Sequence, residues 1–265
     1  MTSRGSAEGD PYRWPNTWRP TRHIETGVTT SLHAMGQVAD NLARVRDRIE
    51  AACQRAGRDP DSVRLMAVSK THGPALVEEA YAAGVRLFGE NRVQEAVEKA
   101  EQVSDHPDLV WAMIGHLQTN KARIVAGFAQ EFHALDSINV AEVLNRRLHD
   151  TGRDLDVFIQ VNSSDEPQKH GLPPEQVEAF AHDLARFGTL RVRGLMTLAV
   201  FSADEAAVRA CFAKMRDLRQ RLGDRADLPG SYEELSMGMS SDFELAIEYG
   251  ATTVRVGEVI FGRRN

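Results

Sequence analysis

The segment YEELSMGMSSDFELAIEYGATTVRVGEVIFG, residues 232–262, reads as a strand (YEELSMG), a helix (DFELAIEYG) and a second strand (TTVRVG). Two strands joined by a helical crossover run parallel, and a parallel sheet needs helices over its outer face. Both strands end on glycine with polar residues just beyond, so the chemistry of this unit lies at its strand ends.

Upstream the same rhythm recurs. Strands RLMAVS (64–69), VRLFG (85–89), LVWAMI (109–114), EFHALD (131–136), LDVFIQVN (155–162) and VRGLMTL (192–198) alternate with helical segments. The eight strands predict an α/β fold, a closed (β/α)8 TIM barrel in a single domain over residues 37–265, with VADNLARVRDRIEAACQRA (38–56) as an outer helix. An open doubly wound sheet is the rival, but no G-x-G-x-x-G follows the first strand. Residues 1–36 have three prolines, Trp14, Trp18 and no apolar period, and read as a flexible extension.

Composition narrows the partners. With 32 basic and 38 acidic residues the formal charge is −6, which gives no electrostatic reason to expect nucleic acid. No run of about 18 apolar residues predicts a membrane span. Cys53 and Cys211 are the only cysteines and form no C-x-x-C unit, as expected of a cytoplasmic protein without structural zinc. The expected ligand is small and the expected state a monomer.

If the barrel is right, functional residues follow strands. Lys70 ends the first, either as a snorkelling lysine or as a desolvated amine that forms a Schiff base with an aldehyde. Glu90 and Asn91 end the second and could hydrogen-bond a ligand, with Arg92 to neutralise it; alternatively Asn91 caps the next helix. His116 follows the third, Asn162 and Lys169 the fifth, and Met196 lies near the sixth. Ser240 and Ser241 open the helix after the seventh strand, and Gly257 ends the eighth. Hydroxyls and unpaired N–H groups there suit a phosphate or carboxylate. Arg255 lies within the last strand and either pairs with a carboxylate or faces the ligand. An amine, an anion clamp and a strand arginine together fit pyridoxal 5'-phosphate; a phosphosugar aldolase would share the first two but needs no arginine.

The runs AVSKTH, FGENRVQEA, IGHLQTNK, QVN, GLMTL and above all LSMGMSSDFELAIEYGATTVRVGEVIFG resemble the pyridoxal phosphate homeostasis proteins, single-barrel relatives of the alanine racemase N-terminal domain. The resemblance runs from about Val38 to Arg263. It implies that Lys70 holds the cofactor as an internal aldimine, that Asn91 lies near it, that Ser240 and Gly257 with the backbone around Val256 and Glu258 hold the phosphate, and that Arg255 meets the pyridine nitrogen. It also implies a role in vitamin B6 balance without efficient turnover, with amino acids or amines as further small-molecule partners. Ala112, where the family usually has histidine, and Ala199 and Val200, where it usually has a proline, depart from the pattern.

The alternative is a weak racemase or decarboxylase dependent on the same cofactor; a regulatory interaction module is a smaller possibility. An arginine at the pyridine nitrogen weakens the ring as an electron sink. Eight residues follow Gly257, too few for a second catalytic domain, and none of the four tyrosines is well placed opposite Lys70. Those features favour carriage over catalysis.

Overall fold

The computed structural model describes residues 32–166 and 168–262. Eight parallel strands close in sequence order into one barrel: β1 (Arg64–Val68), β2 (Leu87–Glu90), β3 (Val110–Met113), β4 (Glu131–Leu135), β5 (Leu155–Gln160), β6 (Leu190–Met196), β7 (Glu234–Ser236) and β8 (Thr253–Val256). β8 pairs with β1, with Met66 opposite Arg255, which closes the ring. Helices α1 (Leu32–Arg55), α2 (Pro74–Ala82), α3 (Val93–Gln102), α4 (Ala122–Phe128), α5 (Ile138–Thr151), α6 (Val177–Asp183), α7 (Glu205–Gly223), α8 (Phe243–Glu248) and α9 (Glu258–Phe261) form the outer layer.

All eight expected strands are present, most with shorter ends, while β6 starts two residues earlier, at Leu190. β7 starts at Glu234 because Tyr232 adopts φ 52°, outside strand geometry. The outer helix begins earlier than Val38, at Leu32, since good helix formers precede Gly36 and an isolated glycine is tolerated there. The expected extension over 1–36, with Trp14 and Trp18, lies outside the described residues as far as residue 31; residues 32–36 belong to α1.

Strand alternation divides the core in two. Outward-facing Ala67, Phe88, Phe132 and Val254 pack with the helices in one continuous apolar shell. Cys53 and Cys211 are free and buried within it. Inward, β1 to β3 supply a small apolar cluster of Met66, Leu87 and Ala112, with Val110 and Ile114 against it. Gly89 makes room there, since a Cβ would approach Met66 Sδ to 2.7 Å and the methionine would have to shift. The departure at Ala112 therefore falls inside the lumen.

The rest of the lumen is largely polar, with Phe158 stacked on His133. Arg64, Glu131, Glu234 and Thr253, each the first residue of its strand, make the floor. Arg64 donates to Glu131 (2.6 Å), Glu234 (2.7 Å) and Thr253 (3.1 Å). Arg191 and Arg193 pair with buried Asp156 at 2.7 and 3.0 Å.

The outer helix α1 ties down the two helices that start at β7 and β8. Asn41 Nδ2 donates to Ile260 O (2.7 Å), and Arg48 pairs with Glu244 (2.6 Å). Arg58 just beyond α1 donates to Ile247 O and Ala251 O at 2.9 and 2.8 Å.

Candidate functional site

A cavity of about 1030 Å³ opens at the carboxyl ends of the strands, and Lys70, Asn91, Ser240, Arg255 and Gly257 all line it. Lys70 continues the inward parity of Arg64, Met66 and Val68, so its side chain enters the mouth. It is half-buried, which differs from the fully desolvated amine expected from the strand it follows.

The backbone on either side of Lys70 is held from behind. Buried Lys99 on α3 donates to Ser69 O (2.7 Å), Glu90 Oε1 (2.7 Å) and Glu95 Oε1 (2.9 Å). Ser69 Oγ donates to Glu90 (2.6 Å), and Thr71 N–H donates to Glu95. Glu90 is thus no ligand contact: it points away from the lumen and is wholly buried. Burial pushes its carboxyl above the ordinary value although Lys99 and Ser69 both donate to it.

On the adjoining rim, formed by the ends of β7 and β8 beside β1, Gly238 at φ 93° lets the chain turn from β7 directly onto α8; a Cβ there would meet Ala246 Cβ at 2.7 Å. Met239 N–H donates to Asp242 Oδ1 (2.6 Å), closing the turn that presents Ser240. Gly257 brings the end of β8 against β1, where an added Cβ would lie 2.9 Å from Val68 O. It also opens α9, whose first N–H groups have no acceptor within the helix. Among the described residues the side chains of Lys70, Asn91 and Ser240 have no hydrogen-bond or ion-pair partner. Asn91 makes no capping bond to α3, so the structural alternative for it does not apply.

Arg255 is buried without a direct carboxylate partner. Nη1 donates to Ser236 Oγ and Nη2 to Thr197 O, each at 2.7 Å. Desolvation lowers its pKa to about 10, against the favourable field of Asp242, so the guanidinium stays charged at neutral pH. A relay continues below it: Ser236 Oγ meets His133 Nδ1 at 2.9 Å, and His133 Nε2 meets Glu131 Oε2 at 2.7 Å. Burial depresses His133, leaving it neutral, so Nε2–H donates to Glu131 and Nδ1 accepts from Ser236. Glu131 falls to about 2: burial alone would raise it, but Arg64 and His133 outweigh that.

Other expected contacts resolve differently. Asn162 builds its own loop, with Nδ2 donating to Glu166 O (2.9 Å), and Met196, in register with Gln160 and Ser236, is wholly buried on the inward side of β6 without lining the cavity. Arg92 is exposed and does not line the cavity. Lys169 does line it, with Nζ on Glu166 (2.5 Å) and on Ala199 O (3.0 Å), the site of the second departure. Sequence reasoning missed His72, Gln160, His170 and exposed Phe201 on the cavity wall; only Gln160 carried a signal, the inward parity of Asp156 on β5. No described tyrosine lines the cavity.

The fold and site define a (β/α)8 barrel whose mouth sets Lys70 beside a serine–glycine rim. The alanine racemase N-terminal domain family matches residues 41–265. The pyridoxal phosphate homeostasis protein of Pseudomonas aeruginosa is 44% identical over 231 residues, 87% of this chain and 97% of that protein. PipY of Synechococcus elongatus PCC7942, solved with PLP bound, is 40% identical at a TM-score of 0.76, covering 85% of this chain and 100% of that one. Alanine racemase from Streptomyces coelicolor shares the fold at 20% identity and a TM-score of 0.64, covering 84% of this chain and 59% of that one. The chain belongs to the alanine racemase N-terminal domain family and, within it, to the pyridoxal phosphate homeostasis proteins.

Proposed function

We propose that this chain holds pyridoxal 5'-phosphate in the barrel mouth and serves its intracellular balance as a carrier rather than as an efficient enzyme. The carrying observation is that one cavity brings Lys70, whose amine has no partner among the described residues, beside the rim formed by Ser240 and Gly257. These residues fit the group: a primary amine for an aldehyde, a hydroxyl and helix-start N–H groups for a phosphate, and a guanidinium for a ring nitrogen. The cofactor's aldehyde condenses with a primary amine, releasing water, and its ring withdraws electrons from what is attached.

Each residue then has a defined task. Lys70 supplies the amine, and the Lys99–Glu90–Glu95 network fixes the peptides that flank it. Ser240 and the N–H groups beginning at Gly257 receive the phosphate, with the charge-assisted bonds such an anion favours. Asn91 offers an amide to the ring substituents. Arg255 spends two of its five N–H groups on Ser236 and Thr197, which leaves others for the pyridine nitrogen. A charged donor there keeps that nitrogen unprotonated and makes the ring a weak electron sink.

Weak racemisation or decarboxylation is the second reading, and the absence of any described tyrosine from the cavity wall speaks against a two-sided proton exchange. Two buried free cysteines suit a reducing cytoplasm. No described helix is long and apolar enough to cross a membrane.

The experiment mixes loaded protein with each common amino acid and follows the visible spectrum and product together. Spectral exchange without product is expected. Product forming near the roughly 10 per second typical of enzymes would overturn the carrier reading.

A further inference from the structure

The ends of β3, β4 and β5 bring together three groups that the lysine and the phosphate rim do not use. His116 follows β3, Asp136 follows β4, and His170 lies in the loop after β5. One ligand atom from each lies within 4.8 Å of the other two. The imidazoles stack at 4.5 Å between centroids with an interplanar angle of 12°. Two neutral nitrogen donors and one carboxylate match a borderline divalent ion, whereas magnesium and calcium call for oxygen donors.

The backbones carrying these side chains are fixed although the imidazoles themselves are exposed. Gly115, just before His116, is packed so closely on β2 that a Cβ would lie 2.4 Å from Asn91 O. Gly171, just after His170, adopts φ 113° against β5, where a Cβ would meet Asn162 N at 2.8 Å. Leu172 N–H donates to Gln160 O (2.9 Å) and Gln160 Nε2 to His170 O (3.3 Å), stitching that segment to the strand. Asp136 Oδ2 accepts from Gly171 N–H (3.1 Å), which orients the carboxylate and leaves Oδ1 open. A carboxylate set by a backbone donor is the kind of outer support that metal ligands have. Held backbones also keep the ordering cost of binding low.

We propose that His116, Asp136 and His170 form a binding site for a divalent transition-metal ion, Zn²⁺ foremost, on the rim of the barrel mouth. Three protein ligands leave at least one coordination position for water, as in open zinc sites. His116 and His170 also line the cavity, so that position faces the chamber containing Lys70. The site is independent of the cofactor reading: it draws on none of Lys70, Ser240, Arg255 and Gly257.

The test titrates Zn²⁺ into chelator-washed full-length protein by calorimetry at pH 7.5, and Co²⁺ in parallel by visible absorbance. One equivalent of saturable binding is expected, with a cobalt spectrum of tetrahedral intensity. His116→Ala and His170→Ala should each weaken Zn²⁺ by more than about tenfold, as should Asp136→Asn, with unchanged circular dichroism. His182→Ala, an exposed histidine on α6, is the control and should leave binding intact. The site is overturned by the absence of saturable binding, or by binding that survives both rim histidine variants within about twofold, since the ion would then be held elsewhere.

Discussion

At the floor of the barrel Arg64 bridges Glu131 and Glu234, and a relay from Glu131 through His133 and Ser236 reaches Arg255. At the mouth, about one strand length away, Lys70, Asn91 and Ser240 face a large cavity, and among the described residues their side chains have no partner. Both clusters are polar, the floor at inward strand positions and the mouth just past the strand ends, yet the floor satisfies itself while the mouth is left for something else. A buried charge persists only where its neighbours compensate it, so the floor is structural. Unpartnered groups at strand ends cost little beside open solvent, which is where a barrel places its ligand contacts.

The comparison breaks most visibly at the floor. Arg64→Ala strips Glu131 and Glu234 of their shared cation, and we expect a loss of about 3–5 kcal/mol in denaturant unfolding. A change below about 1 kcal/mol would mean that the floor network is dispensable.

Acid attacks the same cluster. Glu131 and His133 both have folded pKa values below their unfolded ones, so each contributes stability that is present above its unfolded pKa and lost as pH falls. For His133 the loss begins near its ordinary 6.5; for Glu131 it runs from 4.5 down to about 2 and amounts to roughly 3 kcal/mol. Unfolding followed from pH 7 to pH 3 should show this slope, flattened in Glu131→Gln. An equal slope in that variant would assign the acid sensitivity to other groups.

The mouth should respond in the opposite sense. Ser240→Ala should weaken cofactor retention by about 1.5–3 kcal/mol, the range for a charge-assisted bond, while stability stays within about 0.5 kcal/mol. Lost stability with unchanged retention would reverse the roles assigned to floor and mouth. Asn91→Ala should have the smallest effect, about 1 kcal/mol in retention, read in the same equilibrium assay. A larger effect than that of Ser240→Ala would move the anchoring from the phosphate rim to the ring.

The barrel was legible because eight apolar runs alternate with helical segments, and both faces of a parallel strand are covered. Lys70, Asn91, Ser240 and Gly257 were legible because each follows a strand. Arg255 stood out as a charge within one, but its actual partners did not: Ser236 and Thr197 come from β7 and the end of β6, and the alternative of a carboxylate partner is not met among the described residues. Glu90 was misread for a local reason. It is adjacent to Asn91 and therefore points to the opposite face, toward Lys99 on α3. The meeting of His116, Asp136 and His170 had no sequence signal, because the side-by-side pairing of β3, β4 and β5, rather than spacing along the chain, makes the loops that follow them neighbours.

The account rests on Lys70 being the amine of the mouth, and Lys169 lies on the same cavity wall with its ammonium already on Glu166 and Ala199 O. Borohydride treatment of protein loaded with pyridoxal 5'-phosphate, followed by peptide mass spectrometry, distinguishes the two. The expected result is a pyridoxyl mass on the peptide containing Lys70, with no such label and no visible absorbance in Lys70→Ala. Label on Lys169 with Lys70 untouched, or none on either, would contradict the account.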